Sequence, residues 1–485
     1  MAPKKRVRVS RNQQLLTSLR ESIVDKPPYI NGTLQLPDSC FSLFYKVAKD
    51  GSAARFAWDP NLYGAKEQML RLTSCRRYIN LSNATPDELE QLSQACEPAS
   101  FGVKQEYVLD ETYRKAGKMD SDCFSSMLDP FHTDLIKIIR GCLLEGLESK
   151  KGVKAELYKL NIYGKYLIFV HPCLVPCCCL GKGSFFKPHV DTPRSEKMFG
   201  SLVVVFPTPH EGRVLLLRHH GHEWSFDSGK ALAAVDQPTI GYVAFFSDIE
   251  HEVAPVISGH RITLTYNLYF DDDGPVSEND AVSEHLIPPQ LPNQEGFREA
   301  FRLLLENPEF MADGGTLAFG LRHVYPIKKD LKHVYNVLKG SDSVMYESMR
   351  ALRFEPVLYV YYDAGEDIYT PQGAIVNKLI NFDDVYEEET VLDIVQEEGG
   401  SLVRRDRGRH SEIAEPVEWV TPLTTYNRQE GAFASHGNEP ALNWAYGDVC
   451  MIVRIGKAGD RLAYSTVEQV KAAYRKKWDE RSRYR

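Results

Sequence analysis

FFKPHVDTPR, Phe185 to Arg194, is the stretch on which the reading of this chain turns. His189 and Asp191 sit two positions apart, just after two phenylalanines. On a β-strand, residues two apart point to the same face. The pair can therefore aim one imidazole and one carboxylate at a single point. By itself the signal is weak, because a chain with 14 histidines yields about one such pair by chance. Two readings stand here: a surface strand carrying polar residues, or two-thirds of a metal site.

SDIEHEVAPVISGHRITLTYNLY, Ser247 to Tyr269, changes the balance. His251 supplies a second imidazole, which would complete a set of two histidines and one carboxylate. That ligand set favours Fe(II) and leaves adjacent coordination positions open. Arg261 follows ten residues later, and Thr263 lies two beyond it on the same strand face. An arginine fork suits bidentate binding of a carboxylate. Each residue has a duller alternative: His251 as a strand-end histidine with a hydrogen-bond partner, Arg261 as an ion-paired surface arginine. The four together are the compound signal.

The surrounding texture agrees with a β domain. AELYKLNIYG, GSLVVVFP, RVLLLRHH, GYVAFFS and HRITLTYNLYF are short β-branched or aromatic runs broken by Gly, Pro and Asp. They predict a mostly antiparallel barrel or jelly roll over 151–272. Before it, residues 12–150 read as mainly helical and packed on the barrel. Leu15, Leu16, Leu19 and Ile23 have helical spacing, Thr85 and Pro86 open PDELEQLSQAC, and FHTDLIKIIRGCLLEGLE from Phe131 is the clearest amphipathic run. Proline-rich polar sequence at 273–295 reads as a linker. Helix and strand signals return over 296–460, with a loop between about Asp383 and Arg409, and 461–485 reads as a charged helix. The fold class is α+β.

With 485 residues, 43% hydrophobic and 26% charged, the composition is that of ordinary globular domains. A net charge of -8 argues against a surface built to coat nucleic acid. Ten cysteines without an extracellular framework, and no signal peptide, predict an intracellular protein. No apolar run is long enough for a membrane span. MAPKKRVRVSR, residues 1–11, is a basic patch that fits either nuclear import or a disordered, solvated tail; nuclear and cytoplasmic placement both stay open.

At these residues the chain resembles the iron(II)- and 2-oxoglutarate-dependent oxygenases, in their prolyl 4-hydroxylase-like branch and its fungal members. Tyr163, Gly183, Phe186, His189, Asp191, His251, Arg261 and Thr263 carry the resemblance, which spans about Ala155 to Asp271. It implies a double-stranded β-helix with His189, Asp191 and His251 on Fe(II). It also implies 2-oxoglutarate chelated to the metal, its far carboxylate on Arg261 with Thr263 and Tyr163 assisting. O2 is the second cosubstrate and ascorbate a supporting reductant. The implied reaction releases succinate and CO2 and hydroxylates a C–H, with a protein (prolyl) residue as substrate. The family pattern places two glycines after the turn at His210 and Glu211, whereas this chain has Gly212 and then Arg213. His219, His220 and His222 read as a solvated turn.

The family runs from the strand tyrosine through a glycine turn straight into the HxD strand. Here KYLIFVHPCLVPCCCLG, Lys165 to Gly181, interrupts the turn. Removing it restores LNIYGKGSFFKPHVD. The segment is nearly all apolar and holds Cys173, Cys177, Cys178 and Cys179. Adjacent cysteines do not readily face one tetrahedral zinc, even with His171 near. Gly164-Lys165-Tyr166 can be encoded across a donor splice sequence, and Leu180-Gly181 across an acceptor. The segment therefore reads as a translated intron.

The sequence leaves other functions open. A catalytically silent binding protein could keep the barrel, and an oxygenase could act on a small molecule or a nucleic-acid base. No nucleic-acid or membrane partner is indicated. His436 and Glu439, in HGNEP, have no partner spacing that makes a second site, and the C-terminal region reads as a structural domain.

Overall fold

The computed structural model describes residues 10–23, 26–47, 76–99, 101–103, 106–108, 113–144, 151–164, 184–212, 214–235, 237–271, 293–328, 330–363, 373–382, 390–404, 415–436 and 440–462. The basic tail to residue 9, the insertion 165–181, Gly183, Arg213, the linker to residue 292 and residues 463–485 lie outside them. So do the side chains of His436 and Glu439. No described helix is long and apolar enough to cross a membrane. The chain divides into two units. One comprises Pro27–Leu144 and Lys150–Pro288; the other comprises Met1–Lys26, Glu145–Ser149 and Pro289–Arg485.

The first unit is built on two antiparallel sheets. The long sheet has eight strands, centred on Thr239–Phe246, Met198–Val205, Val256–Asp271 and Gly152–Gly164 in that order. The short sheet orders His222–Phe226, Leu215–His219, Glu250–Val253, Phe185–His189 and Arg114–Lys115. From Gly152 onward the chain passes back and forth between the two, which is the winding of a jelly roll. Runs such as TIGYVAFF, Thr239 to Phe246, are buried along their whole length, so both faces of this strand are covered. On Val256–Asp271 the faces differ in character. Ile262, Leu264 and Leu268 are fully buried on one side, while Arg261, Thr263 and Asn267 lie buried on the other. Each apolar side chain so buried contributes about 1.5–3 kcal/mol.

The N-terminal stretch is not mainly helical, contrary to the sequence expectation. Tyr29–Gln35 pairs with Thr239–Phe246, Gly117–Asp120 with Gly152–Gly164, and Arg114–Lys115 with Phe185–His189. These short strands satisfy backbone groups that would otherwise stand unpaired at the sheet edges. Their local propensity is modest; tertiary pairing decides them. The helix Pro86–Gln94 forms with the capping box of Thr85 and Glu88. The run from Phe131 shortens to Leu135–Ile138 and one wide turn, Ile139–Leu143, because Gly141 weakens its interior and Leu144 is already extended. Phe41 and Leu128 pack against the apolar side of the long sheet: Phe41 meets Phe206 edge-on, and Tyr266 donates to the Leu128 carbonyl at 3.0 Å.

In the second unit, six strands close into a ring. Gly315–Gly320 pairs with both Glu415–Thr421 and Pro440–Ile455, and the circuit runs through Val357–Asp363, Gly373–Val376 and Ser401–Arg404. Tyr359, Tyr361, Ile375, Val403, Cys450 and Ile452 fill a shared core. The helix Arg11–Ser22 belongs to this unit and not to the jelly roll. Its Arg20 donates to the carbonyls of Val420 (2.9 Å) and Trp419 (2.8 Å), and Asn307 donates to Asn12 at 2.6 Å. The expected loop between Asp383 and Arg409 contains a helix, Val391–Glu397, and the strand Ser401–Arg404.

Candidate metal centre

His189 and His251 are brought together by strand register. Phe185–His189 and Glu250–Val253 are antiparallel neighbours, and the two histidines stand directly opposite each other. Each imidazole is held from behind in the same way. His189 Nδ1 lies 2.9 Å from the carbonyl of Lys187, and His251 Nδ1 lies 3.1 Å from that of Ile249. A carbonyl only accepts, so in each ring Nδ1 donates and Nε2 is left as the atom that can ligate. Asp191 Oδ1 is 3.9 Å from His251 Nε2, and its Oδ2 accepts a 2.6 Å hydrogen bond from Ser201 Oγ. One ligand atom from each of the three residues lies within 4.8 Å of the others.

The electrostatics suit a cation. Burial, followed by the neighbouring His251, pushes the His189 imidazole down to about 2, so it is neutral and able to ligate. Burial opposes ionisation of Asp191. His251, the Ser201 hydrogen bond and His189 outweigh it and hold the carboxyl below its ordinary value. Phe186 stacks on His189 with ring centroids 3.5 Å apart, and Phe245 lies 4.7 Å from His251. Two aromatic rings thus pack against the ligating imidazoles.

Arg261 is 1% exposed and lies in the same pocket. Its Nε reaches Ser228 Oγ at 3.5 Å, while Nη2 is buried with no hydrogen-bond partner among the described residues. Among the described residues no carboxylate pairs with it, and burial lowers its proton affinity. A guanidinium in this state is costly unless a ligand supplies the counter-charge. The orphaned Nη2 is the observation that fits an anionic cosubstrate. Tyr163 stands opposite Arg261 in the ladder, with the guanidinium 5.6 Å from its ring, and Thr263 lies two residues on. His189, Asp191, His251, Arg261, Thr263 and Tyr163 all line this one pocket.

Several residues of the site carry no clear mark in the sequence. Arg114, 3% exposed, donates from Nη2 to Asn161 Oδ1 at 2.8 Å, and Asn161 Nδ2 donates to Thr265 Oγ1 at 3.1 Å. Lys159 lines the pocket as well. The available signal was one polar residue in each apolar strand run: Asn161 in KLNIYG and Ser201 in GSLVVVF. His210 also differs from expectation, since it sits on a short strand, His210–Gly212. Its Nδ1 donates to the Thr208 carbonyl at 2.6 Å, so Nε2 accepts from Ser228 Oγ at 3.1 Å, and Ser228 in turn faces Arg261. His210 therefore helps to set the arginine through Ser228. Gly212, with φ at 78°, turns the chain where an added Cβ would lie 2.8 Å from the Pro255 carbonyl. His220 and Gly221 make the hairpin tip between Leu215–His219 and His222–Phe226. His219 departs from the solvated-turn reading: it ends a strand, its side chain is 13% exposed, and its Nε2 lies 3.8 Å from Asp248.

No protein-family model matches this chain, and no curated protein matches it. Among solved structures it is similar to a prolyl-4-hydroxylase from Pseudomonas putida, with 14% identity and a TM-score of 0.23, over 54% of this chain and 100% of that one. It is also similar to an oxidoreductase of the 2OG-Fe(II) oxygenase family from Burkholderia pseudomallei, with 12% identity and a TM-score of 0.21, over 55% of this chain and 95% of that one. Likeness at this level does not bear on the reaction; the pocket does.

Proposed function

We propose that this chain is an Fe(II)- and 2-oxoglutarate-dependent dioxygenase that hydroxylates a C–H bond of its substrate, with succinate and CO2 as the other products. One observation carries the reading: the His189, Asp191 and His251 cluster shares its pocket with a buried arginine that has no counter-ion among the described residues. Iron, when bound, supplies the oxygen-activating chemistry. The chain's own residues do the rest. His189 and His251 present Nε2 atoms on rings held through Nδ1, and Asp191 presents an anionic oxygen whose partner atom is tied to Ser201. Arg261 receives the far carboxylate of 2-oxoglutarate, with Thr263 and Tyr163 beside it. Phe186 and Phe245 pack against the two imidazoles and fix their planes. A protein residue, with proline the first to try, is the proposed substrate, and the resemblance of the motif residues is its support.

The test is an anaerobic titration of the purified protein with Fe(II) and 2-oxoglutarate, followed by a succinate assay in air. The expected result is the weak visible charge-transfer band of the chelate, then slow succinate release without added substrate. Absence of both from a folded protein overturns the reading.

A further inference from the structure

The pocket has a second cationic end. On Gly152–Gly164, the ladder with Val256–Asp271 slips between Leu157 and Lys159, leaving Tyr158 as the extra residue of a bulge. A bulge re-aims side chains, and here Tyr158 and Lys159 both line the pocket. Lys159 and Tyr163 lie on one strand four positions apart, about 13 Å of strand rise. Arg261 stands opposite Tyr163 in the ladder, so it enters the pocket from the other end of this strand from Lys159.

Positive charge gathers around this end. Lys159 Nζ lies 4.2 Å from the centroid of the Tyr158 ring, and the Arg194 guanidinium lies 4.2 Å from the same ring. Arg114 is seated 4.3 Å over the Phe186 ring, held by Asn161. Among the described residues no carboxylate forms an ion pair with Lys159. The acidic group that favours its charged form is Asp191, already committed to the triad. Burial, then Arg114, pushes the Lys159 amine down to about 7, as expected for a cation short of counter-charge.

We propose that the substrate brings a carboxylate into the pocket and that Lys159, flanked by Arg114, receives it. A group docked there lies beside Asp191, on the far side from Arg261, which places the adjoining carbon atoms near the triad. The inference rests on the oxygenase reading and adds the substrate's chemistry to it. Two sources carry this chemistry, an acidic side chain of a peptide and a free carboxylic acid.

The experiment measures succinate release at saturating Fe(II) and 2-oxoglutarate. One arm uses two pools of eight-residue peptides that differ only in Glu against Gln at fixed positions. The other uses short monocarboxylic acids against their primary amides. The quantity read is the ratio of carboxylate to amide stimulation within one protein variant, so partial loss of iron or cosubstrate cancels. In the wild type the ratio should exceed about 10 in one arm, the size of one charge-assisted contact. It should fall to about 1 in Lys159→Met, recover in Lys159→Arg, and drop below 1 in Lys159→Glu. A wild-type ratio of about 1 in both arms overturns the proposal, without need of any variant. So does a ratio unchanged in Lys159→Met. Failure of the oxygenase reading itself looks different: no charge-transfer band and no succinate in any arm.

Discussion

The imidazoles of His189 and His251 face each other across two antiparallel strands with ring centroids 4.1 Å apart, and each is pinned by the carbonyl two residues before it. The backbone thus fixes both rings before any ion arrives. Little side-chain entropy remains to be lost on ligation.

The first prediction concerns this cluster. His189→Ala or Asp191→Ala should weaken Fe(II) by more than about 100-fold, exceeding the usual loss from a supporting residue. Ser201→Ala, which frees Asp191 Oδ2, should cost about 10- to 100-fold. Anaerobic titration with circular dichroism as a folding check measures all three. Wild-type iron affinity in Asp191→Ala would remove that residue from the ligand set.

Arg261 yields a prediction with two signs. Arg261→Met should keep iron but weaken 2-oxoglutarate about 10- to 100-fold, through loss of charge-assisted hydrogen bonds. The same variant, without ligands, should melt higher than the wild type, because a buried guanidinium with an unpaired Nη2 is replaced by an apolar chain. Calorimetry with and without 2-oxoglutarate reads both effects. Equal cosubstrate affinity in the two proteins removes the anchor role.

The second unit carries its own buried pair. Arg454 and Glu415, 8% and 7% exposed at the side chain, meet at 3.2 Å, and Arg454 also donates to Tyr359 at 2.7 Å. Arg454→Met leaves Glu415 buried without its cation and should cost about 3–5 kcal/mol. Denaturant melts of that variant, against a double variant that also carries Glu415→Gln, measure the loss. The double variant should be the more stable of the two.

Deletion of Lys165–Gly181 is the fourth. Ser184 N–H donates to the Gly164 carbonyl at 3.1 Å, Ser184 Oγ donates to the same oxygen at 2.8 Å, and Gly164 N–H reaches Ser184 Oγ at 3.2 Å. Without the segment only Lys182 and Gly183 separate these two residues, and the first of these bonds becomes the closing bond of a four-residue β-turn. The shortened protein should fold, with a melting temperature equal to or above that of the full chain, and bind Fe(II) and 2-oxoglutarate. A shortened chain that is unfolded by circular dichroism defeats this expectation.

How much of this could be read from the chain follows from the distances over which its signals act. His189 and Asp191 share a strand segment, as do Arg261 and Thr263, so period-two spacing exposes them. The five strand runs of the jelly roll stood out through another local signal: their apolar residues are consecutive and bounded by Gly, Pro and Asp. Arg114 comes to the pocket only through pairing at the sheet edge, Ser201 through register, and Lys159 through a bulge. Register and bulges are set by partners distant in sequence. The same cause hid Tyr29–Gln35, whose strand character comes from Thr239–Phe246. Arg11–Ser22 was legible as a helix from its spacing, but neither its Ser10 cap nor its neighbours were read there.

The three hydrogen bonds between Gly164 and Ser184 have a bearing on connection length as well as on folding. They pin the two ends of a connection whether two residues or nineteen lie between them. Closure entropy rises only with the logarithm of loop length, about 0.6 kcal/mol per doubling, so the longer connection costs roughly 2 kcal/mol more. Both lengths of connection could therefore close the same strand pair, the longer one at a cost that is a sizeable part of a domain's net stability. On this account the join between Gly164 and Ser184 is where a change in connection length should cost the fold least.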